Sequence, residues 1–450
     1  MRYIKKILYL AIISIIAIST ISFSSADDFN LQTAIDNTAD GGTLDLTGHP
    51  VIYINNKIVI NKAITIKESP TGYFVGNNPS VSSFSIETSK AVNFVNLNFN
   101  NFDKAAVNLN SYSNVNFTNC FFTNGKTSIY GSANSHVNIE NSSFLNNNVR
   151  STIYLLKGSN LVISGSIFNK NSVNYERYLY EGGSCINTID SNISISRTFF
   201  TNNNGPSGGV IYFNNNDLTT NLDISNSYIF NNGADIAGGF LYATGSERYT
   251  VNADNNTFRE NHINVNGDTS SPIYDCGGVF FSTGRGTNNY EFTLTNNRFH
   301  DNLAATGFIA GSFGYNGGKY NIFGTNNYSN DNDAKYNGGY KSKSSDVFFN
   351  NRKEIDSKLN IFNAGLYSIS APFNHTVTYQ LVDENKAPLA NKSVNIAYKG
   401  NLTTDSNGNI VVNYNTYGSY NLTATYAGDN NIESASATNW LIIIPKMPGF

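Results

Sequence analysis

Residues 137–147 read Val137-Asn138-Ile139-Glu140-Asn141-Ser142-Ser143-Phe144-Leu145-Asn146-Asn147. The next stretch of the same form is Leu161 to Asn171, and the one after it is Ile193 to Asn203. In each, two apolar residues separated by one position precede an aromatic residue, and an Asn follows three positions later. The one-residue separation is β alternation rather than helical spacing. Extended both ways, the pattern gives an aromatic or apolar slot at Phe99, Phe122, Phe144, Phe168, Phe200, Ile229, Phe258, Phe299 and Tyr328. Five residues before each slot stand Phe94, Phe117, Ile139, Ile163, Ile195, Ile224, Ala253, Leu294 and Phe323. Seven before stand Val92, Val115, Val137, Leu161, Ile193, Leu222, Val251, Phe292 and Asn321.

The trailing Asn recurs at Asn147, Asn171, Asn203, Asn232, Asn261 and Asn302. Asn tolerates the left-handed turn conformation and bonds local backbone. Stacked at one corner, such side chains can also bond one another, as ladders do in cross-β stacks. A second strand signal lies between the slots: Gly208-Gly209-Val210-Ile211-Tyr212, Gly238-Gly239-Phe240-Leu241-Tyr242, Gly277-Gly278-Val279-Phe280-Phe281 and the weaker Gly182-Gly183-Ser184-Cys185-Ile186. Glycine pairs allow a sharp corner before the next strand. Each unit therefore holds about three short strands and three corners. The expected fold is all-β: a right-handed parallel β-helix, roughly 38 Å long for nine slots at ~4.8 Å per coil.

Composition agrees with such a stack. Of 450 residues, 75 are Asn and only 14% are charged, while Phe and Tyr number 30 and 28, a balance opposite to that of disorder. A formal charge of −3 excludes a basic nucleic-acid binder as the default. Three Cys exclude a disulfide scaffold.

Both ends depart from the repeat. Arg2, Lys5 and Lys6, the apolar run from Ile7 and the small residues Ser24-Ser25-Ala26 read as a secretory signal over 1–26. Residues 27–42 then supply a short helix, with Phe29, Leu31, Ala34 and Ile35 on one face, that caps the first coil. The parallel β-helix is expected over 43–331. Residues 332–369, beginning in a stretch of mixed charge, are expected to be a C-terminal cap or linker. Residues 370–450 carry short strands at regular spacing and read as a small β-sandwich.

Candidate chemistry is sparse. Glu260 and Asp301 share one slot in consecutive units, which places two carboxylates one coil apart, with Arg259 and His300 stacked beside them. Glycoside cleavage uses two carboxylates ~5 to 9 Å apart; a solvated, charge-balanced corner or a weak Ca²⁺ site is the alternative. Insertions after the Asn corner, at Ser172 to Glu181 and His262 to Asp275, offer loops on a rigid scaffold. The first carries Tyr175, Arg177, Tyr178 and Tyr180, a contact surface suited to sugars or proteins. Cys120, Cys185 and Cys276 read as packed structural residues. The five His lack ligand spacing, so no metal or other cofactor is expected.

The paired Gly-Gly-apolar and Phe-x-x-Asn repeats resemble those of chlamydial polymorphic outer-membrane proteins. More broadly, the chain is similar to adhesin-like proteins of methanogenic archaea, in which such β-helices join Ig-like modules. The order Asp383, Pro388, Leu389, Val394, then Thr404-Asp405 and Gly408, then Gly418, Tyr420, Tyr426, Gly428 and Asp429 resembles bacterial Ig-like modules. The resemblance implies an exported, non-enzymatic cell-surface protein that displays a β-helix to glycans or proteins of other cells. A polysaccharide-cleaving β-helix enzyme using Glu260 and Asp301, and a purely structural envelope component, are the alternatives.

Overall fold

The computed structural model describes residues 29–148, 150–173, 182–264, 277–285, 289–304, 310–315, 319–325, 327–330, 333–334 and 357–445, the last without 384, 398, 430, 431 and 433. The signal segment lies outside them. The chain forms two compact units that divide near residue 352.

The first unit is a parallel β-helix. A coil such as 136–155 runs through the strand His136–Glu140, a tight bend, the strand Ser143–Leu145, a second corner and the strand Ile153–Leu155. The first two strands of every coil join one 20-stranded sheet, folded lengthwise along the bend, and the third joins a ten-stranded sheet. Each strand pairs in parallel with its counterpart in the next coil: Val137 with Leu161, Leu161 with Ile193, and Phe144 with Phe168. Later coils add two-residue strands (Asn204–Gly205, Gly233–Ala234, His262–Ile263, Leu303–Ala304, Asp333–Ala334) that close a third, five-stranded sheet.

Alternation turns one side of every strand inward. His136–Glu140 is exposed, buried, exposed, buried, exposed in order. Inside, Phe99, Phe122, Phe144, Phe168 and Phe200 stack with neighbouring ring centroids 4.6, 4.7, 4.5 and 4.9 Å apart. A full coil offset gives each ring an apolar neighbour above and below, which is the dispersion and burial gain of a core repeated once per coil. At the entry, the helix Leu31–Asn37 is N-capped by Asn30, whose side chain accepts from the Thr33 N–H. Its Leu31 and Ile35 close over the first coils.

The corners depart from expectation in two ways. Asn147 and its counterparts are not the left-handed residues; the residues just before them are, at Asn124, Asn146, Lys170, Asn202, Asn231, Glu260 and Asp301. That leaves the Asn itself pointing inward. Asn171 Nδ2 donates to Asn203 Oδ1 at 3.0 Å and to the Phe144 carbonyl at 3.0 Å, while the Asn171 backbone N–H donates to the same Asn203 Oδ1 at 3.0 Å. The bonding repeats from Asn147 through Asn171, Asn203, Asn232 and Asn261 to Asn302. A second ladder lies in the first bend. It runs through Cys120, Ser142, Ser166, Thr198, Ser227, Asn256, Asn297 and Asn327, mostly with each backbone N–H donating to the side chain of the next coil.

The ninth unit is also shifted. Phe299 pairs with Ser329 and Arg298 with Tyr328, while Phe292 pairs with Ile322 and Leu294 with Gly324. The register therefore sets Ser329, not Tyr328, opposite Phe299, and Phe323 faces out, 56% exposed. Asn327 sets the register by accepting the Asn297 N–H at 3.0 Å.

The second unit is a β-sandwich. A three-stranded antiparallel sheet (Ser357–Phe362, His375–Asp383, Asn409–Tyr414) and a five-stranded sheet (Gly365–Ile369, Ser393–Ile396, Gly400–Thr403, Gly418–Tyr426, Ala435–Pro445) share one core through Val377, Tyr379, Val394, Leu422 and Leu441. Two strands, Ser357–Phe362 and Gly365–Ile369, lie within the stretch expected as cap or linker, so the sandwich begins at 357 and not at 370. Leu359 supplies the reason, since it is buried in the sandwich core.

Candidate functional site

The three-residue strands and the corner after them carry three columns that run along the helix axis; Thr123, Ser143, Leu145 and Thr201 in these columns are buried, while Phe199, Tyr228, Phe230 and Arg259 are half-exposed. The first column holds Phe121, Ser143, Ile167, Phe199, Tyr228, Thr257 and Arg298, paired coil to coil. The second holds Thr123, Leu145, Asn169, Thr201, Phe230, Arg259 and His300. The third is the left-handed corner column that ends in Glu260 and Asp301.

Two patches stand side by side along these columns. Phe199, Tyr228 and Phe230 are half-buried, with ring centroids 6.2 Å apart for the first pair and 6.1 Å for the second. In the coils that follow, Arg259 reaches both carboxylates: its Nε lies 3.1 Å from Glu260 Oε1 and 3.5 Å from Asp301 Oδ2. Two oxygens on one nitrogen are at most roughly 6.6 Å apart, which spans the ~5 Å spacing of carboxylate pairs that cleave glycosides. The guanidinium offsets the repulsion between them. All three side chains remain more than 40% exposed, so solvent and solutes reach them. His300 stacks on Arg259 in the ladder, and His262 Nδ1 lies 3.1 Å from the Glu260 carbonyl oxygen.

Backbone conformation marks Glu260 out. In the corner column the chain otherwise uses Asn, with Lys170 the other departure besides the acidic pair. Glu260 has φ 54° and Asp301 has φ 53°. Asp shares some of the tolerance of Asn for this region, but Glu does not. Asn124, Asn146, Asn202 and Asn231 show that Asn fits this corner; Glu260, unlike the equally strained Lys170, has an acidic neighbour one coil on, and there strain points to function.

The aromatic patch was not singled out from sequence. Its signal was there: the residues that flank the inward slot include Phe199 in one coil and both Tyr228 and Phe230 in the next. The tyrosine loop with Tyr175, Arg177, Tyr178 and Tyr180 lies outside the described residues, as does most of the second insertion and Cys276. Cys120 and Cys185 are buried free thiols, and burial pushes each up to about 12, so neither is a nucleophile at neutral pH. Among the described residues no group of three or more His, Cys, Asp or Glu is placed to hold a metal ion. No helix among them is long and apolar enough to cross a membrane.

Residues 82–258 match the family described as "Right handed beta helix region". The match covers the repeat from its second coil to the slot just before Glu260 and fixes the hand of the helix. No curated protein matches the chain. Solved structures similar to it include the catalytic domain of a GH87 alpha-1,3-glucanase in complex with nigerose, at 12% identity over 73% of this chain and 69% of that one, with a TM-score of 0.37. The Agl-KA catalytic domain is similar at 12% identity over 64% of each chain, with a TM-score of 0.33. The alginate lyase AlyF-OU02 in complex with G6 is similar at 11% identity over 71% of this chain and 90% of that one, with a TM-score of 0.34. At such identities the likeness concerns the coil architecture alone. One expectation is corrected: the β-helix was read as a non-enzymatic display surface, whereas the similar structures include a glucanase catalytic domain and an alginate lyase.

Proposed function

We propose that the chain is an exported, carbohydrate-active β-helix. A glycan chain lies along the three-residue-strand face, with sugar rings on Phe199, Tyr228 and Phe230. Glu260 and Asp301 supply the carboxylates that act on the glycosidic bond. Aromatic rings suit the apolar face of a sugar, and a coil repeat of ~4.8 Å sets platforms at about the length of one sugar residue. One carboxyl group protonates the leaving oxygen as the glycosidic bond breaks, and the other takes a proton from the water whose oxygen bonds to the sugar carbon, as carboxylate pairs do in glycoside hydrolysis. Arg259 holds both carboxylates in place until substrate enters. The observation that carries this reading is Glu260: a glutamate kept in a left-handed corner, one coil from an aspartate in the same position. The signal segment delivers the protein outside the cell in this reading, and the sandwich serves as spacer or second binder.

The test is reducing-end release from a panel of neutral and uronic polysaccharides by the chain lacking residues 1–26. The wild type releases ends from at least one of them, and the Glu260→Gln, Asp301→Asn double variant loses that activity by at least ~10²-fold with its thermal transition retained. A wild type inactive on the whole panel, or a double variant as active as the wild type, overturns the proposal.

A further inference from the structure

A different corner carries a second anomaly. Between the ten-stranded sheet and the five-residue strands, successive coils turn on Tyr112, Asn134, Gly158 and Asp190, all with positive φ. Asn, Gly and Asp suit that conformation. Tyrosine does not, yet Tyr112 holds φ 67°. Its backbone leaves no choice. Its N–H donates to the Ala133 carbonyl of the next coil at 3.1 Å, and the adjoining Ser113 N–H closes on the Asn110 carbonyl at 3.1 Å. The buried Ser113 hydroxyl then bonds the Ile86 carbonyl at 3.0 Å, which ties the turn to the preceding coil.

Nothing in the core rewards this tyrosine, because its side chain is outside: the residue is 63% exposed. It stands over a shallow groove of about 590 Å³ shared with Glu87, Thr88, Ser89, Asn110 and Ser111. Apart from the ring, every side chain there is a hydroxyl, amide or carboxylate. Glu87 is held on one side by Lys57 Nζ at 2.9 Å and by the Ser85 hydroxyl at 2.9 Å. Those bonds, that of Lys57 first, keep its carboxyl below the usual range, so it is an ionised acceptor at neutral pH. One flat aromatic face above a floor of donors and acceptors, with no apolar pocket, matches the two-sided surface of a sugar ring.

From this strained, exposed ring and its polar groove we infer that Tyr112 is the platform of a second, non-catalytic binding site for a neutral oligosaccharide. It lies five coils, roughly 24 Å along the axis, from the slot before Glu260, and at another corner. Strain accepted at a surface residue points to a ligand contact here because the exposed ring stands over a polar groove. The site does not depend on the Glu260–Asp301 pair.

The experiment uses the chain carrying Glu260→Gln and Asp301→Asn, so that no ligand is consumed and failure of the catalytic reading leaves the result readable. Cellohexaose, maltohexaose and laminarihexaose are titrated by calorimetry into this protein and into versions that add Tyr112→Asn or Tyr112→Phe. At least one hexasaccharide binds the parent. Tyr112→Asn lowers its affinity by roughly tenfold or more while the melting temperature holds or rises, and Tyr112→Phe stays within about threefold of the parent. Absence of binding by all three sugars, equal affinity in Tyr112→Asn, or a melting temperature lowered by that substitution each overturns the proposal, the last because it makes the tyrosine a structural residue.

Discussion

Each coil turns twice on the folded sheet, and the two turns share a backbone but not an interior. Both place a left-handed residue outside and a polar side chain inside. In the first bend that inner side chain is Cys120, Ser142, Ser166, Thr198 or Ser227 before becoming Asn at Asn256, Asn297 and Asn327. In the second corner it is Asn from Asn147 to Asn302. A serine there accepts one N–H from the coil before and returns its own hydroxyl proton locally: Ser166 Oγ takes the Ser142 N–H at 3.1 Å and donates to the Ser164 carbonyl at 3.0 Å. An asparagine reaches further. Asn232 Oδ1 takes both the N–H and the side-chain amide of Asn203, at 3.0 and 2.9 Å, and its Nδ2 donates to the Phe200 carbonyl at 3.0 Å and to Asn261. The second corner thus relies on a continuous side-chain chain, and the first bend, where it holds Ser or Thr, on one inter-coil bond per coil without side-chain continuity.

That difference predicts a ranking. Asn232→Ala strands the Asn203 N–H and amide in a dry interior, and should cost about 2–4 kcal/mol of β-helix stability by urea denaturation. A loss under ~1 kcal/mol would show that water replaces the ladder and would dissolve the contrast between corners. Ser166→Ala removes one acceptor at the tight bend and should cost about 1 kcal/mol in the same assay; a cost equal to that of Asn232→Ala would erase the distinction. On the outside of the second corner, Lys170→Asn relieves an unsuited residue at φ 56° and should raise stability by roughly 0.5–1 kcal/mol. A decrease would mean that the lysine side chain holds the corner. The smallest effect is a null one. With Cys276 changed to Ser, Cys120 and Cys185 should not react with a thiol reagent at pH 8 in the folded protein, because burial lifts both thiols to about 12 and excludes the reagent. Labelling under native conditions would show that the interior opens.

Much of this architecture was legible in the sequence. The Phe slots and the inner Asn ladder were visible because one residue type recurs at one spacing, and stacking rewards identity from coil to coil. The first-bend ladder was not, because Cys, Ser, Thr and Asn alternate there and the left-handed residue before each, such as Asn141, resets the in-out alternation. The same effect hid the true turn residue: Asn146 and Asn147 are identical in type, and only the backbone separates the one that bends from the one that bonds. The last unit was misregistered on Tyr328 because composition cannot show that Asn327 continues the ladder from Asn297. At the site, the pairing of Glu260 with Asp301 followed from spacing alone. Neither the reach of Arg259 to both carboxylates nor the neighbouring ring patch did, since these depend on which outward columns stand side by side.

The central claim is that Glu260 occupies a corner built for asparagine because its carboxylate works on a substrate. Glu260→Asn tests it in one protein, by melting temperature and by polysaccharide cleavage together. The account predicts a melting temperature equal to or above the wild type, since Asn relieves the strain at φ 54°, with cleavage lost. A lowered melting temperature with cleavage intact would contradict it and make Glu260 a structural partner of Arg259.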